Sequence, residues 1–228
     1  MNEKKVITLV PARKNSKGIK NKNIYKINGK PLIEYTLDSI KKSKLNIKDC
    51  YILSDDQRVK NIGKKYGVNI EYKRPKNLSK DKTLFIENLI HFFAWTKSKS
   101  INFKYIMILQ PTSPLRTYQD INSALKLLKK KPKSIISISE SLENPNVSIF
   151  FKNKKINFYT GNPMMKRRQD FIYKSYFING GIYLVSRENL EKNKFINFKD
   201  TLYLMMDKLN SFDLNDYDDL KILKRIIR

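Results

Sequence analysis

Cysteine, histidine and tryptophan occur once each in the 228 residues, as Cys50, His91 and Trp95, and glycine only seven times. A lone cysteine has no intrachain partner, so no disulfide framework is available and a reducing, cytoplasmic compartment is expected. A lone histidine excludes a metal centre built on several imidazoles. Any metal would rest on carboxylates and phosphate oxygens, which is the chemistry of Mg²⁺ or Mn²⁺. None of the glycines stands in G-x-G-x-x-G or G-x-x-x-x-G-K-[ST] spacing, so neither the dinucleotide fingerprint nor the P-loop is present. No apolar run approaches the ~20 residues that span a bilayer. The start, MNEKKVITLVPAR, has an apolar stretch too short, and too abruptly ended by Pro11 and Arg13, for a secretory signal.

Acidic residues are also scarce: 21 Asp and Glu face 47 Lys and Arg, a formal charge of +26. Such an imbalance suits nucleic-acid binding. It equally suits the composition bias of an AT-rich genome, since Asn, Ile, Tyr and Phe are abundant with Lys. Lysines run from Lys4 to Lys224 rather than gathering in one arm, and no zinc-finger, helix-turn-helix or aromatic RNA-binding signature is present. The composition reading is favoured, and nucleic acid is not the expected partner. A positive surface still attracts anionic nucleotides.

What is present is an alternation of buried-strand runs and helical patterns. Strands are predicted at VITLV (6–10), CYILS (50–54), NIEYKR (69–74), YIMILQ (105–110), SIISISE (134–140) and INGGIYLV (178–185). Helical spacing marks 31–45, the stretch up to Gly67, and 83–98, where Leu84, Leu89, Phe92 and Phe93 are the expected buried face. It also marks 117–131 and the C-terminal DLKILKRII. Strands apolar on both faces between helices predict an α/β protein with a mostly parallel sheet, and 228 residues suit one such domain. The pattern changes over about 141–176, where short alternating stretches and Asn-Pro turn pairs suggest a hairpin excursion. Cys50 reads as a small core residue, and His91, among Leu89, Ile90, Phe92 and Phe93, as packed or capping rather than catalytic.

Parallel α/β sheets bind ligands beyond the carboxyl ends of their strands. That rule selects the loops after Val10, Ser54, Gln110 and Glu140. The first, VPARKNSKGIKNKNI (10–24), is dense in cations and holds only Gly18. Backbone N–H groups with Arg and Lys side chains can cradle a triphosphate without a glycine-rich motif. Arg13 offers a rigid fork, and Lys17 and Lys22 are mobile point charges. In QPTSPLR (110–116), Gln110 carries both a donor and an acceptor, and Arg116 would bind an anion or form an ion pair at the next helix start. Gly180-Gly181 fits a close backbone approach to a ligand or a strand bulge.

These segments appear in a familiar order. P-A-R-x-x-S-K-G-x-x-x-K-N-I from Pro11, G-K-P-L (29–32), S-D-D (54–56) and R-P-x-x-L (74–78) are followed by L-Q-P-T-S-P-L-R (109–116). R-R-Q (167–169), N-G-x-I-Y (179–183) and S-F-D-L (211–214) complete the series. Together they resemble the acylneuraminate cytidylyltransferases, the CMP-sialic acid synthetases, over nearly the whole chain. The resemblance implies a three-layer, Rossmann-like nucleotidyltransferase with a small dimerisation and sugar-binding excursion. It implies CTP and a nine-carbon 2-keto sugar acid as substrates, CMP-sugar and pyrophosphate as products, Mg²⁺ (or Mn²⁺) as cofactor, and a homodimer. CMP-ketodeoxyoctonate synthetase, or another sugar nucleotidyltransferase, is the alternative.

The resemblance places Arg13, Ser16, Lys17, Lys22 and Asn23 around the nucleotide, with Lys22 near the α-phosphate. Arg74 falls where the family contacts the base or its phosphates, and its strand-end position favours that role over a surface arginine before Pro75. The family's Asp-Thr-Ala/Ser stretch, which touches cytosine, is here Asp81-Lys82-Thr83, so Thr83 is the retained member. Gln110, Arg168, Gln169, Asn179 and Tyr183 would line the sugar pocket. Phe195 stands where the family has a phenylalanine donated by the partner subunit, or is simply core. The family's Asp-x-Asp metal pair becomes Asp213-Leu214-Asn215. Asp213 keeps the first ligand, Asn215 offers an amide oxygen for the second, and Asp216 is expected to cap the last helix.

Overall fold

The structure, a computed structural model, describes residues 5–14, 18–79, 83–141, 143–160, 173–192, 195–196 and 198–227. A six-stranded sheet contains β1 (Val6–Pro11), β4 (Cys50–Leu53), β5 (Tyr105–Ile108), β6 (Ser134–Glu140), β9 (Tyr176–Ser186) and β10 (Thr201–Met205). Their spatial order is β10-β6-β9-β5-β1-β4. β1 is parallel to β4 and β5, and β6 to β10, whereas β9 runs antiparallel to both β5 and β6. The mostly parallel sheet expected from the apolar runs is therefore present, with one reversed strand inside it.

Strand alternation divides the core into two layers. On one face Val10, Ile52, Met107, Ile135 and Leu184 pack with Leu37 and Ile40 of α1 (Leu32–Lys42), Val59 of α2 (Gln57–Lys65) and Ile121 of α4 (Tyr118–Leu127). On the other, Ile7, Leu9, Leu53, Ile106 and Ile108 meet Leu89, Phe92 and Phe93 of α3 (Phe85–Ser98), beside the short α5 (Arg187–Glu191). A third, smaller cluster joins Ile19, Ile27, Leu32 and Leu214 to Leu220 and Leu223 of α6 (Tyr217–Ile226). The small ribbon β2 (Lys26–Ile27) and β3 (Lys30–Pro31) leads into α1.

Local chemistry accounts for the departures from the pattern reading. NIEYKR does not form a strand: only Asn69 pairs, in a single parallel bridge with Tyr51. The Glu71 N–H instead donates to the Asn69 side chain at 2.9 Å, a local bond that competes with the ladder. Tyr72 turns into the core, edge-on to Phe92 and Trp95. Leu84 precedes α3 in an extended conformation and is 62 % exposed, so it is not part of the buried face. His91 is exposed and pairs through Nδ1 with the Tyr72 hydroxyl at 2.9 Å. Strand β10 comes from TLYLM, a stretch the pattern left unassigned. Cys50 is fully buried, which pushes its thiol pKa up.

The excursion contains a two-stranded antiparallel ribbon, β7 (Ile149–Lys152) and β8 (Lys155–Phe158), turned by Asn153 and Lys154 at positive φ. No helix of the described residues is long and apolar enough to cross a membrane.

Candidate active site

Where β1 ends, the Ala12 N–H still bonds to the Leu53 carbonyl (3.0 Å), so the first loop leaves a held strand. The loop then folds back. Asn23 donates from Nδ2 to the Arg13 carbonyl at 2.8 Å, and the Lys14 N–H donates to Asp55 Oδ1 at 2.8 Å. The second contact gives the S-D-D stretch after β4 a role its spacing did not disclose. Asp56 caps α2, accepts from Arg58, and the same guanidinium reaches Asn21 Oδ1 at 2.8 Å. Burial also places Lys22 and Asn23 on a short turn, both 8 % exposed.

The loop docks on the segment before α6. Lys22 Nζ donates to the Leu214 carbonyl (2.7 Å) and to the Asn215 carbonyl (2.9 Å). Gly18 lies so close to Asn215 that an added Cβ would meet its carbonyl oxygen at 2.1 Å. Ile19 and Leu214 share the third apolar cluster beneath this contact. Desolvation lowers the Lys22 pKa, opposed by Asp213, Asp219 and Asp216 and reinforced by Arg13. Asp216 caps α6 reciprocally with Asp219, as expected for that position.

Arg13, Gly18, Lys22, Asn23, Gln110 and Asn215 line one cleft of about 410 Å³ at the carboxyl ends of β1 and β5. Five of these six are site residues expected from the sequence; the glycine is the addition. A larger groove of about 800 Å³, bordered by Lys5, Lys104 and Lys133, lies at the opposite ends of these strands and contains none of them. The smaller cleft, not the larger groove, brings together two cations and three side-chain amides.

Arg74, Thr83, Tyr183 and Phe195 do not line this cleft. Arg74 is partly buried and forks onto the Leu78 carbonyl, with Nη2 at 2.7 Å. Burial lowers its pKa, which Asp55 opposes and Arg13 reinforces, so these groups share one electrostatic neighbourhood. Thr83 donates to the Asn77 carbonyl at 3.3 Å. Tyr183 is half-buried; burial raises its pKa, and the Asp213 carboxylate raises it further. Phe195 packs within its own chain, with ring centroids 5.5 Å from Tyr183 and 5.8 Å from Phe85. Ser16, Lys17, Arg168 and Gln169 lie outside the described residues.

Asn179 and Arg116 are held differently from the sequence expectation. The Asn179 amide accepts from Ser137 Oγ and the Gly181 N–H and donates to Ser211 Oγ, leaving it as an internal tie between β9 and the segment leading to Asp213. Four residues of β9, 179–182, lie opposite the single residue Ser137, and Gly180 supplies the φ of +71° that this bulge needs. Arg116 neither faces solvent anions nor bonds a carboxylate among the described residues; it is buried, 1 % exposed, and spends its donors on internal acceptors.

The donor set also bears on the metal. Asp213 is half-buried, Asn215 is exposed, and no group of three or more His, Cys, Asp or Glu residues able to hold an ion occurs among the described residues. One carboxylate and one amide oxygen fit a hard cation that keeps waters and takes its other ligands from substrate phosphates.

Comparison with known proteins bears on the family and the fold. The cytidylyltransferase family model matches residues 7–222. The chain is 29 % identical to a post-translational flagellin modification protein B of Campylobacter coli, over 98 % of this chain and 95 % of the relative. It is 24 % identical to the CMP-N,N'-diacetyllegionaminic acid synthase of Legionella pneumophila, over 98 % and 96 %. Identity with the N-acylneuraminate cytidylyltransferase of Escherichia coli is 26 % over 96 % of this chain, which spans about half (51 %) of that relative. A solved structure of CMP:2-keto-3-deoxy-manno-octonic acid synthetase with CTP shares the fold, with a TM-score of 0.70 at 14 % identity over 97 % and 98 % of the two chains.

Proposed function

The chain belongs to the cytidylyltransferase family, and from that premise we propose that it joins CTP to a sialic-acid-like nonulosonic acid of the neuraminic, legionaminic or pseudaminic type. The products are the CMP-sugar and pyrophosphate. The observation that carries the reading is the convergence of Arg13, Lys22, Asn23, Gln110 and Asn215 on one strand-end cleft. The names of the Legionella pneumophila and Escherichia coli relatives state this chemistry, and that of the Campylobacter coli relative does not.

In the reaction the anomeric hydroxyl oxygen of the sugar bonds to the α-phosphorus as the bond from that phosphorus to the β-phosphate oxygen breaks; the hydroxyl gives up its proton to solvent, and the electron pair of the broken bond leaves with pyrophosphate. Catalysis is then positioning and charge stabilisation. Lys22, held between two carbonyls, sets a cation beside the α-phosphate, and Arg13 offsets the charge of the departing pyrophosphate. Ser16, Lys17 and Asn23 complete the triphosphate cradle, with Arg74 and Thr83 on the base side. Gln110, Arg168, Gln169, Asn179, Tyr183 and Phe195 form or support the sugar side. Asp213 and Asn215 would hold Mg²⁺, which when bound neutralises phosphate charge. We read the chain as one catalytic domain, cytoplasmic and homodimeric. The buried, unpaired Cys50 suits a reducing compartment. The exposed apolar residues of the excursion, Phe151 and Ile156 on the β7–β8 ribbon and Tyr173 beyond it, suit a subunit contact.

Pyrophosphate release tests the assignment. The protein with Mg²⁺ is given each nucleoside triphosphate in turn, with neuraminic, legionaminic, pseudaminic and octulosonic acids. Release is expected with CTP and at least one nine-carbon acid; release with the octulosonic acid alone would move the chain to the alternative, and none with CTP would overturn the reading.

A further inference from the structure

Arg116 carries more than the expected loop-end role. Its guanidinium joins three elements: Nη1 donates to the Gln110 carbonyl (3.2 Å) and the Gly181 carbonyl (2.8 Å), and Nη2 donates to Thr36 Oγ1 (2.8 Å) on α1. Its own carbonyl accepts from Ser39 Oγ, one turn further along α1, at 2.9 Å. Nε has no hydrogen-bond partner among the described residues. Burying a cation with no bonded carboxylate is costly, so a fold selected for stability alone would favour an apolar side chain here.

What the fork holds together is specific. Gln110 ends β5 and lines the cleft with the first loop. Gly181 belongs to the β9 bulge, two residues before Tyr183 and two after Asn179. The bulge is tied on its other side through Asn179 to Ser211, two residues before Asp213. The Gln110 wall of the cleft and the bulge of β9 therefore meet at a single planar group. Both carbonyls accept from the one nitrogen Nη1, and the rigid guanidinium plane sets that nitrogen relative to Nη2 on Thr36, an orientation that a freely rotating ammonium does not fix.

We infer that Arg116 is a positioning residue: it sets the Gln110 wall against the β9 bulge, and so aligns the sugar acid with the bound nucleotide. The inference rests on the proposed transfer reaction for its kinetic consequence and on geometry alone for the coupling. A misplacement of about 1 Å at reacting groups costs on the order of a hundredfold in rate, so loosening one wall should be visible.

The test uses Arg116→Lys, and Thr36→Val as the milder variant that leaves the arginine in place, with Thr36→Ser as the hydroxyl-retaining control. KM for the sugar acid should rise ~10-fold in Arg116→Lys and by a smaller factor in Thr36→Val, and return towards the wild-type value in Thr36→Ser. Hydrogen–deuterium exchange should speed up in 110–116 and 178–183 together, while α3 amides stay protected. A purely structural role would lower the folded, active fraction and leave KM unchanged. Unchanged KM in an active variant, or exchange that speeds up throughout the protein rather than at the two walls, overturns the inference. If the wild type itself transfers CMP to none of the acids, the functional reading falls, and the exchange pattern alone decides whether Arg116 couples the walls.

Discussion

The first loop and the excursion are both long, lysine-rich departures from the sheet, yet they are held in opposite ways. The first loop is pinned from several sides: Asn23 to the Arg13 carbonyl, Lys14 to Asp55, Lys22 and Gly18 against Asn215. The described part of the excursion includes a two-stranded ribbon on which Phe150 and Phe158 are partly covered and Phe151 and Ile156 face solvent, at 71 % and 59 % exposure. A two-stranded ribbon has little stability of its own in water. The contrast teaches that the described part of the first loop is held by bonds to other segments of this chain, whereas the ribbon leaves Phe151 and Ile156 uncovered among the described residues.

Breaking the assembled side should cost most. Lys22→Ala removes a cation from the cleft and two bonds from the 214–215 carbonyls. Turnover should fall by about 10²–10³, with a smaller change in melting temperature, measured by initial rates beside a thermal melt. Equal loss of both would demote the lysine to a structural tie. Gly18→Ala places a methyl group on the Asn215 carbonyl and must push the two segments apart. A roughly tenfold loss of turnover is expected, because the displaced segment carries Asp213. An unaltered rate would show that the docking of the two segments is dispensable.

A smaller effect concerns Asp56, whose pKa is lowered first by its hydrogen bond with Arg58, against the opposing cost of burial. A depressed carboxylate stabilises the folded state above its unfolded value of 3.8, and that contribution is lost as pH falls through the lowered folded value. Asp56→Asn keeps a capping oxygen and loses the charge, so it should destabilise only slightly near neutrality and flatten the acid limb of stability against pH, read from denaturant melts. On the excursion, Phe151→Ser should change the melt of the isolated subunit by no more than ~0.5 kcal/mol. If the ribbon is a subunit contact, the variant should shift sedimentation towards monomer; an unchanged oligomeric state would detach the ribbon from assembly.

Much of this was legible in sequence because burial writes itself as apolar runs. VITLV, CYIL and YIMI are strands with no exposed residue, and the carboxyl ends of the first and last led to Arg13, Lys22 and Gln110, while Asn23 came from the family resemblance. NIEYKR misled because its alternation resembles a strand, while the decisive event is a bond from Glu71 N–H to the Asn69 side chain. The antiparallel direction of β9 was not legible, since an apolar run does not record its orientation. Arg116 and Asn179 were visible as residue types, but their internal partners come from α1, β6 and β9, distant in sequence. Gly18 was noticed for its scarcity among lysines; that it faces Asn215 needed the fold.

The central claim, that the strand-end cleft supports transfer of CMP to a nonulosonic acid, is tested most directly by phosphorus NMR of the protein with CTP, Mg²⁺ and the accepted acid. The account predicts that the three triphosphate signals give way to pyrophosphate and a single phosphodiester signal, and that Lys22→Ala slows this conversion. Triphosphate signals that persist, or that convert to inorganic phosphate without a phosphodiester, would contradict it.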